Sequence, residues 1–449
     1  MGKVTVVKSY ALPKLIYPLT VLENPSTQII DNLQKEIFKF IWNNKPDKVK
    51  RSILFQGYDY GGLKLTNLNL FISAIKASWV KRYLDNENSG QWKIFLKNRL
   101  EKYGNSLIFD CEIDEKLIKR ISLNNNFFNN ILTSWIKIKD NLNKDNIIVA
   151  KLIIWNNKNV TENKSTIFYK DWFDRGIQCF EHLFDYRNNT FYNFETFSYL
   201  YDIPKNDFLK YFKIISAIPP EIKLQLSIDG IILNSRTSLV ENILKTKHVN
   251  KLLYNNLQIA VDKPTAEIKW ESIFKDTNLS LEWKLIYKNI YTTTIDTILR
   301  NFQYKLVMRI LPTNALLYKY KYVTSNICEQ CNCFEETIEH MFWDCQITQN
   351  LLSNLNIFLA NKNINIDYNK RDIMFGLSSN SPYSCMYNYL IILMKYFLFT
   401  MKIRKIPPTF QLFLKYLQHR IQIEKLIVIN NNKIDTHSKK YEILENIFT

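Results

Sequence analysis

Glycine and proline are scarce, nine and twelve among 449 residues. So few helix breakers and turn formers argue for a mainly α fold and against a sheet-dominated one. Long apolar runs are lacking too. The best candidate, Tyr389 to Met401, is short and carries Lys395, so no membrane-spanning segment is expected. The N-terminus lacks the pattern of a secretory signal, which gives no support to an oxidising compartment or to secretion. Acidic side chains are outnumbered: 42 Asp+Glu against 60 Lys+Arg give a formal net charge of +18. That excess makes a polyanion the default partner. What is plentiful is apolar residues, at 46%, enough at this length for roughly two to four domains with real cores. Asparagine runs recur at 124–126 and 430–432, and these carry no functional signal.

Cysteine is sparse except in one stretch. Four of the seven lie between Cys328 and Cys345, in CEQCNCFEETIEHMFWDC. The spacing Cys328-x2-Cys331-x8-His340-x4-Cys345 lets two thiolates converge from a tight turn while a histidine and a third thiolate arrive from a short helix. Thr337 to Trp343 has helical character, with Glu335 and Glu336 near its positive end. His340 and Cys345 stand five residues apart, roughly 140° around an ideal helix. The helix must therefore end or loosen between them for both to face one ion. Cys333 is a spare ligand. The bland reading is a cluster of free cysteines around an ordinary helix, with His340 as a core histidine, or disulfides. Four protein ligands make a closed zinc site, one that builds structure and does not activate water. Cys111 and Cys179 read as buried small apolar groups.

Charge and aromatic patterning supply the remaining candidates. Residues 1–100 hold 16 Lys+Arg and 7 Asp+Glu, with Lys45, Lys48, Lys50 and Arg51 in one turn. A helix is expected from Ser26 or Thr27 through Trp42, a strand-like alternation at Leu63 and Leu65, and a second helix from Leu70 to Leu84. Ile147 to Trp155 is strand-like in composition, and Asp262 to Thr265 reads as a linker. From Thr297 to Ile327 there are five cations and no acid. There Leu299, Phe302, Leu306 and Ile310 form an apolar helical stripe, Lys305 and Arg309 fall on a neighbouring face, and Pro312 ends the helix. Tyr318, Tyr320 and Tyr322 alternate with Lys319 and Lys321. Interleaved rings and cations suit single-stranded nucleic acid, so Lys305, Arg309, Lys319, Lys321, Lys45, Lys48, Lys50 and Arg51 are the candidate contacts. For each of them the competing reading is a solvated face. The aromatic faces between residues 161 and 270 read as core.

The ordered set LPKLIY (Leu12 to Tyr17), KFIW (Lys39 to Trp42), GGL (Gly61 to Leu63) and Ala74-x-Lys76-x-x-Trp79 resembles the stretch downstream of the catalytic palm in LINE-type non-LTR retrotransposon polyproteins. The resemblance continues through Trp172, Gly176, Phe197 and Ile218-Pro219, then Gln303-Tyr304-Lys305, Arg309 and Leu311-Pro312-Thr313, into the cysteine segment. It implies a thumb-like helical region at 1–100 and a connector at 101–270. It further implies a basic-aromatic helix with a reverse-transcriptase zinc-binding segment at 271–360, and a helical tail at 361–449. The family's polymerase centre places metal ions on an adjacent aspartate pair, and this sequence has no Asp-Asp anywhere. The expectation is thus a C-terminal fragment, shortened ahead of the palm and without an endonuclease. It would carry structural Zn2+ and bind RNA or single-stranded DNA without being an enzyme itself. Other retroelement proteins are possible partners, and the resemblance alone places it in nucleus or cytoplasm. The alternatives are a zinc-containing protein-interaction module, a polymerase chain completed in trans, and an inactive truncated product.

Overall fold

Left-handed turns in this chain fall on asparagine more often than on any other residue: nine asparagines, four glycines and four lysines take positive φ among the described residues. Asparagine tolerates that region better than other side chains, so its abundance offsets the scarcity of glycine. The computed structural model describes residues 2–87, 89–121, 124–142, 149–229, 238–258, 262–275, 280–377 and 384–430. Helices dominate, as expected. Strands among the described residues form two antiparallel two-residue hairpins, Thr161–Glu162 with Ser165–Thr166 and Phe184–Asp185 with Thr190–Phe191. The strand-like 147–155 stretch yields a short 3-10 turn, Val149–Lys151, and a single bridge from Ile153 to Cys179. Ile147 and Ile148 lie outside the described residues.

The chain divides into two units, one of residues 11–35 and 67–260, the other of 1–10, 36–66 and 261–449. In the first, the Leu68–Ala77 helix packs on Asn126–Leu142 and Val249–Leu257. The expected Leu70–Leu84 helix is interrupted at Ser78. Ala74, Lys76 and Trp79 have a shared task here. Ala74 is fully buried, the enclosed Lys76 ammonium reaches the carbonyls of Thr20 and Leu22, and the Trp79 indole N–H donates to Thr20 O at 3.0 Å. These carbonyls close the Leu12–Val21 helix, whose C-terminal end favours a cation. Burial pushes the Lys76 amine down to about 8. A separate cluster around Trp155, Trp172, Phe180, Phe197 and Tyr211 is buried, and Trp172 donates to Asp207 at 2.9 Å. The aromatic faces of this region are largely core, as read, but Tyr199, Phe208 and Phe212 are exposed.

The second unit explains the glycine pair. A Cβ on Gly62 would sit 2.1 Å from Gln56 O, and one on Gly61, at φ 74°, would sit 2.6 Å from the Met308 methyl. Leu63 and Leu65 do not form a strand. Lys64 at φ 53° breaks the extension, and both leucine amides donate to Leu54 O.

The apolar Ser384–Arg404 helix encloses Lys395 completely. Its ammonium donates to Gln303 Oε1 at 2.9 Å and to the carbonyls of Ile373 and Met374 at 2.7 and 3.0 Å. The carbonyls belong to the last turn of the Lys370–Phe375 helix. Burial pushes this amine down to about 7. Unfolded, it titrates near 10.4. Between those values the unfolded chain holds a proton that the native one has shed, so stability gains from this group as pH rises. We expect the urea stability of the wild type, relative to Lys395→Met, to increase between pH 7 and about pH 10. A difference that stays flat would contradict the assignment.

Candidate metal centre and nucleic-acid surface

The cysteine segment begins as a small hairpin. Cys328 N–H donates to Phe334 O at 2.8 Å, Glu336 N–H to Asn326 O at 2.8 Å, and Asn332, at φ 55°, returns its amide to Cys328 O. The knuckle turns Cys328 and Cys331 to one side and points the Gln330 and Cys331 amides at the Cys328 sulfur. His340 to Asp344 then form a π-helical turn, closed by Cys345 N–H on His340 O at 2.9 Å. This is the loosening the spacing demands, because an i→i+5 turn is wider than an α-helical one. Cys345 is also the N-cap residue of the Gln346–Ala360 helix, without a side-chain cap hydrogen bond, and the amides of Ile347 and Thr348 lie near enough to its sulfur to favour the thiolate.

The result is a convergent set. One ligand atom from each of Cys328, Cys331, His340 and Cys345 lies within 4.8 Å of every other. Cys331 Sγ and His340 Nε2 are 3.3 Å apart. Tetrahedral zinc with ~2.3 Å zinc–sulfur bonds spaces its sulfurs by about 3.8 Å, so the set needs little adjustment. Cys345 is held below the ordinary thiol range by a hydrogen bond from Cys328, and the same bond raises Cys328 to about 12. Amide donors to two of the sulfurs favour thiolate, the form that binds metal. Cys333 is outside the set: it is exposed, with its sulfur on Cys331 O. The donor types, their number and their closure fit structural Zn2+.

A second trio, Cys179, Glu181 and His182, also lies close together. Its groups have structural partners. His182 Nδ1 accepts from Cys179 N–H at 3.0 Å, and Glu181 pairs with Lys151 at 2.6 Å.

Two glutamates that the spacing did not single out fasten the metal segment to its surroundings. Buried Glu336 accepts from Asn314 N–H at 2.8 Å and pairs with Lys402. It thereby ties the Asn314–Lys319 helix to the knuckle, helped by Asn314 Nδ2 on Ile327 O. Glu339 pairs with Arg309, whose guanidinium lies 4.3 Å from the Trp270 ring centroid. Arg309 is therefore a brace between two helices. It also stands at φ 55°, and this left-handed residue, not Pro312, ends the helix: Thr297–Val307 stops five residues before the proline.

The other candidate cations fall into two groups. Lys319 and Lys321 are exposed, alternating with Tyr318, Tyr320 and Tyr322, which are 50%, 62% and 74% exposed. Lys45, Lys48 and Lys50 are exposed on the early turn, whereas Arg51 pairs with Asp47 at 2.6 Å and covers Phe38. Lys305 is half-buried, and its pKa is lowered by burial and then by the charge of Lys48. The fold has brought the early basic turn and the later helix together. Beside them a groove of about 410 Å³ is lined by Lys48, Lys50, Arg51 and Met308, by Asp47, which pairs with Arg51, and by the first residues of the Thr265–Phe274 helix. That helix has no side-chain cap, and its Glu267 N–H turns back onto Pro264 O at 3.0 Å.

Residues 265–351 match a family model described as zinc-binding in reverse transcriptase. The match begins at the Thr265–Phe274 helix and takes in all four ligands, both bracing glutamates and the tyrosine-lysine run. The chain therefore contains a reverse-transcriptase-related zinc-binding segment.

Proposed function

We propose that this zinc-binding segment presents a surface for single-stranded nucleic acid, RNA or DNA, and that the chain is a binding part of a LINE-type non-LTR reverse transcriptase without a polymerase centre of its own. The observation that carries the proposal is the Tyr318 to Tyr322 run. Three exposed rings alternate with two lysines that have no ion-pair partner among the described residues, at the end of a helix that Glu336 anchors to the metal knuckle. Rings stack on bases and lysines neutralise phosphates. The groove at Lys48 and Lys50, with Lys305 near Lys48, supplies a second place for backbone phosphate. Lys45 lies on the same turn, while Arg309 and Arg51 hold the surface in shape. The absent aspartate pair supports a binding role over a catalytic one.

The test is fluorescence anisotropy of the zinc-loaded chain with a single-stranded RNA and the DNA of the same sequence, at low and moderate salt. Affinity should fall steeply as salt rises. Absence of binding, or affinity indifferent to salt, would refute the proposal.

One observation favours the second reading, a protein-interaction module. In the other unit, Tyr199, Leu209, Leu224 and Ile228 are each more than 60% exposed. Salt-insensitive association would point there.

A further inference from the structure

The tyrosine-lysine run and the Lys48 groove leave one concave site of the zinc-bearing unit unassigned. It is a cleft of about 330 Å³ with Lys8, Arg300, Tyr58, Tyr291, Thr5 and Ser9 among its lining residues, and no acidic side chain lines it. Lys8 comes from a π-helical turn, Val7–Ala11, and Arg300 from the first turn of Thr297–Val307. Some 290 residues of sequence separate the two cations.

Three features set this cleft apart from an ordinary crevice. First, its positive charge is unrelieved. Among the described residues Lys8 makes no ion pair, and a third cation, Lys64, is close enough to act on it. Lys64 itself covers the Tyr58 ring at 4.6 Å, again with no carboxylate partner among the described residues. The pKa of Lys8 is lowered by burial and then by Lys64, and burial lowers that of Arg300. The acidic group that acts on Arg300 is Glu424, whose Oε1 accepts from Thr294 and Ile295. Second, Arg300 is fixed. Its Nε donates to Thr294 O at 2.6 Å and one terminal nitrogen to Tyr291 O at 2.7 Å, so the guanidinium is held in place without an anion. Third, the Tyr291 hydroxyl is buried and has no hydrogen-bond partner among the described residues. A buried hydroxyl without a partner is unfavourable, and an incoming acceptor would relieve it. The Tyr291 ring packs on Tyr58 with centroids 4.3 Å apart, and Lys64 covers Tyr58, so the cleft offers no free aromatic face to a base.

We propose that this cleft binds a phosphate group, held by Lys8 and Arg300 and by the hydroxyls of Tyr291 and Thr5, while the Ser9 hydroxyl is given to Thr5 O at 2.8 Å. Two sources carry that chemistry: the terminal phosphate of a nucleic-acid strand, and free pyrophosphate or nucleotide. The cations supply charge, and the hydroxyls donate to the anion's lone pairs and so set its orientation.

The experiment is isothermal titration of the zinc-loaded full chain with inorganic pyrophosphate at low salt. It compares the wild type with Lys8→Gln, Tyr291→Phe, and Lys319→Gln with Lys321→Gln. Lys8 is exposed and Tyr291→Phe keeps the ring, so all three proteins should fold, and thermal melts check this. Saturable binding is expected, weakened about tenfold by Lys8→Gln, in line with a charge-assisted hydrogen bond. A smaller loss is expected in Tyr291→Phe, and none in the loop variant. The source is read from a 5′-phosphorylated oligonucleotide against its 5′-hydroxyl twin. A preference lost in Lys8→Gln assigns a strand end, and equal binding assigns the free anion. No saturable pyrophosphate binding, or binding unchanged in both Lys8→Gln and Tyr291→Phe, would overturn the proposal. Loss of binding in the loop variant would overturn it as well, since the anion would then belong to the other surface.

Discussion

Cys328→Ser protein will hold no zinc after purification, where the wild type holds one equivalent by mass spectrometry. The residue is one of four ligands in a closed site, and its sulfur is buried at the centre of the knuckle. Zinc contributes about 10–16 kcal/mol to the folding of small zinc modules, far more than any single contact in this segment. Serine in place of one thiolate should cost most of that. The physical consequence is local: Ile327 and Phe334 of the hairpin at 326–336 are exposed, whereas Met341 and Phe342 pack the π turn into the core, so limited proteolysis should open the hairpin first. Cys333→Ser is the control, because Cys333 is exposed and outside the ligand set. Retained zinc in Cys328→Ser would sink the site as drawn, and lost zinc in Cys333→Ser would mean the ligands are misassigned.

The second large effect concerns the exposed run. Lys319→Gln with Lys321→Gln should lower the salt slope of single-strand binding by about 1.4, two phosphates at about 0.7 each. Tyr320→Ala with Tyr322→Ala should cost roughly 1–3 kcal/mol for each ring that stacks on a base, while leaving the salt slope nearly unchanged. These side chains face solvent, so thermal stability and zinc content should stay at wild-type values. The split is diagnostic: rings would act on affinity and lysines on salt dependence. If neither pair alters binding, the strand runs elsewhere, and the Lys48 groove becomes the surface to mutate.

How much of this was legible in the residues depends on the distance over which each feature is determined. The metal ligands are local: eighteen residues contain all four, and the five-residue gap from His340 to Cys345 foretold a widened turn. The Thr27–Trp42 helix was legible for the same reason. The end of the basic helix was misread because Pro312 is a visible breaker, whereas a left-handed arginine gives no signal in sequence. The partners of cations were illegible altogether. Arg309 and Lys319 look alike in a charge count, yet Arg309 lies between Glu339 and Trp270 while Lys319 meets water. Lys76 and Lys395 carry formal positive charge and yet are fully enclosed among carbonyls. The Lys8 and Arg300 cleft is the extreme case, since it exists only once residues 2–9 and 291–300, far apart in sequence, have met in one unit.

Cys345 has two tasks, as a metal ligand and as the cap of the Gln346–Ala360 helix. Starting a helix is its expensive step, because several residues must be ordered before the first internal bond repays them. A Cys345 whose sulfur is pinned by zinc fixes in advance the residue from which the helix departs. Metal uptake and helix initiation thus become one event, and fifteen residues of secondary structure inherit their starting point, and with it their direction, from a single ion.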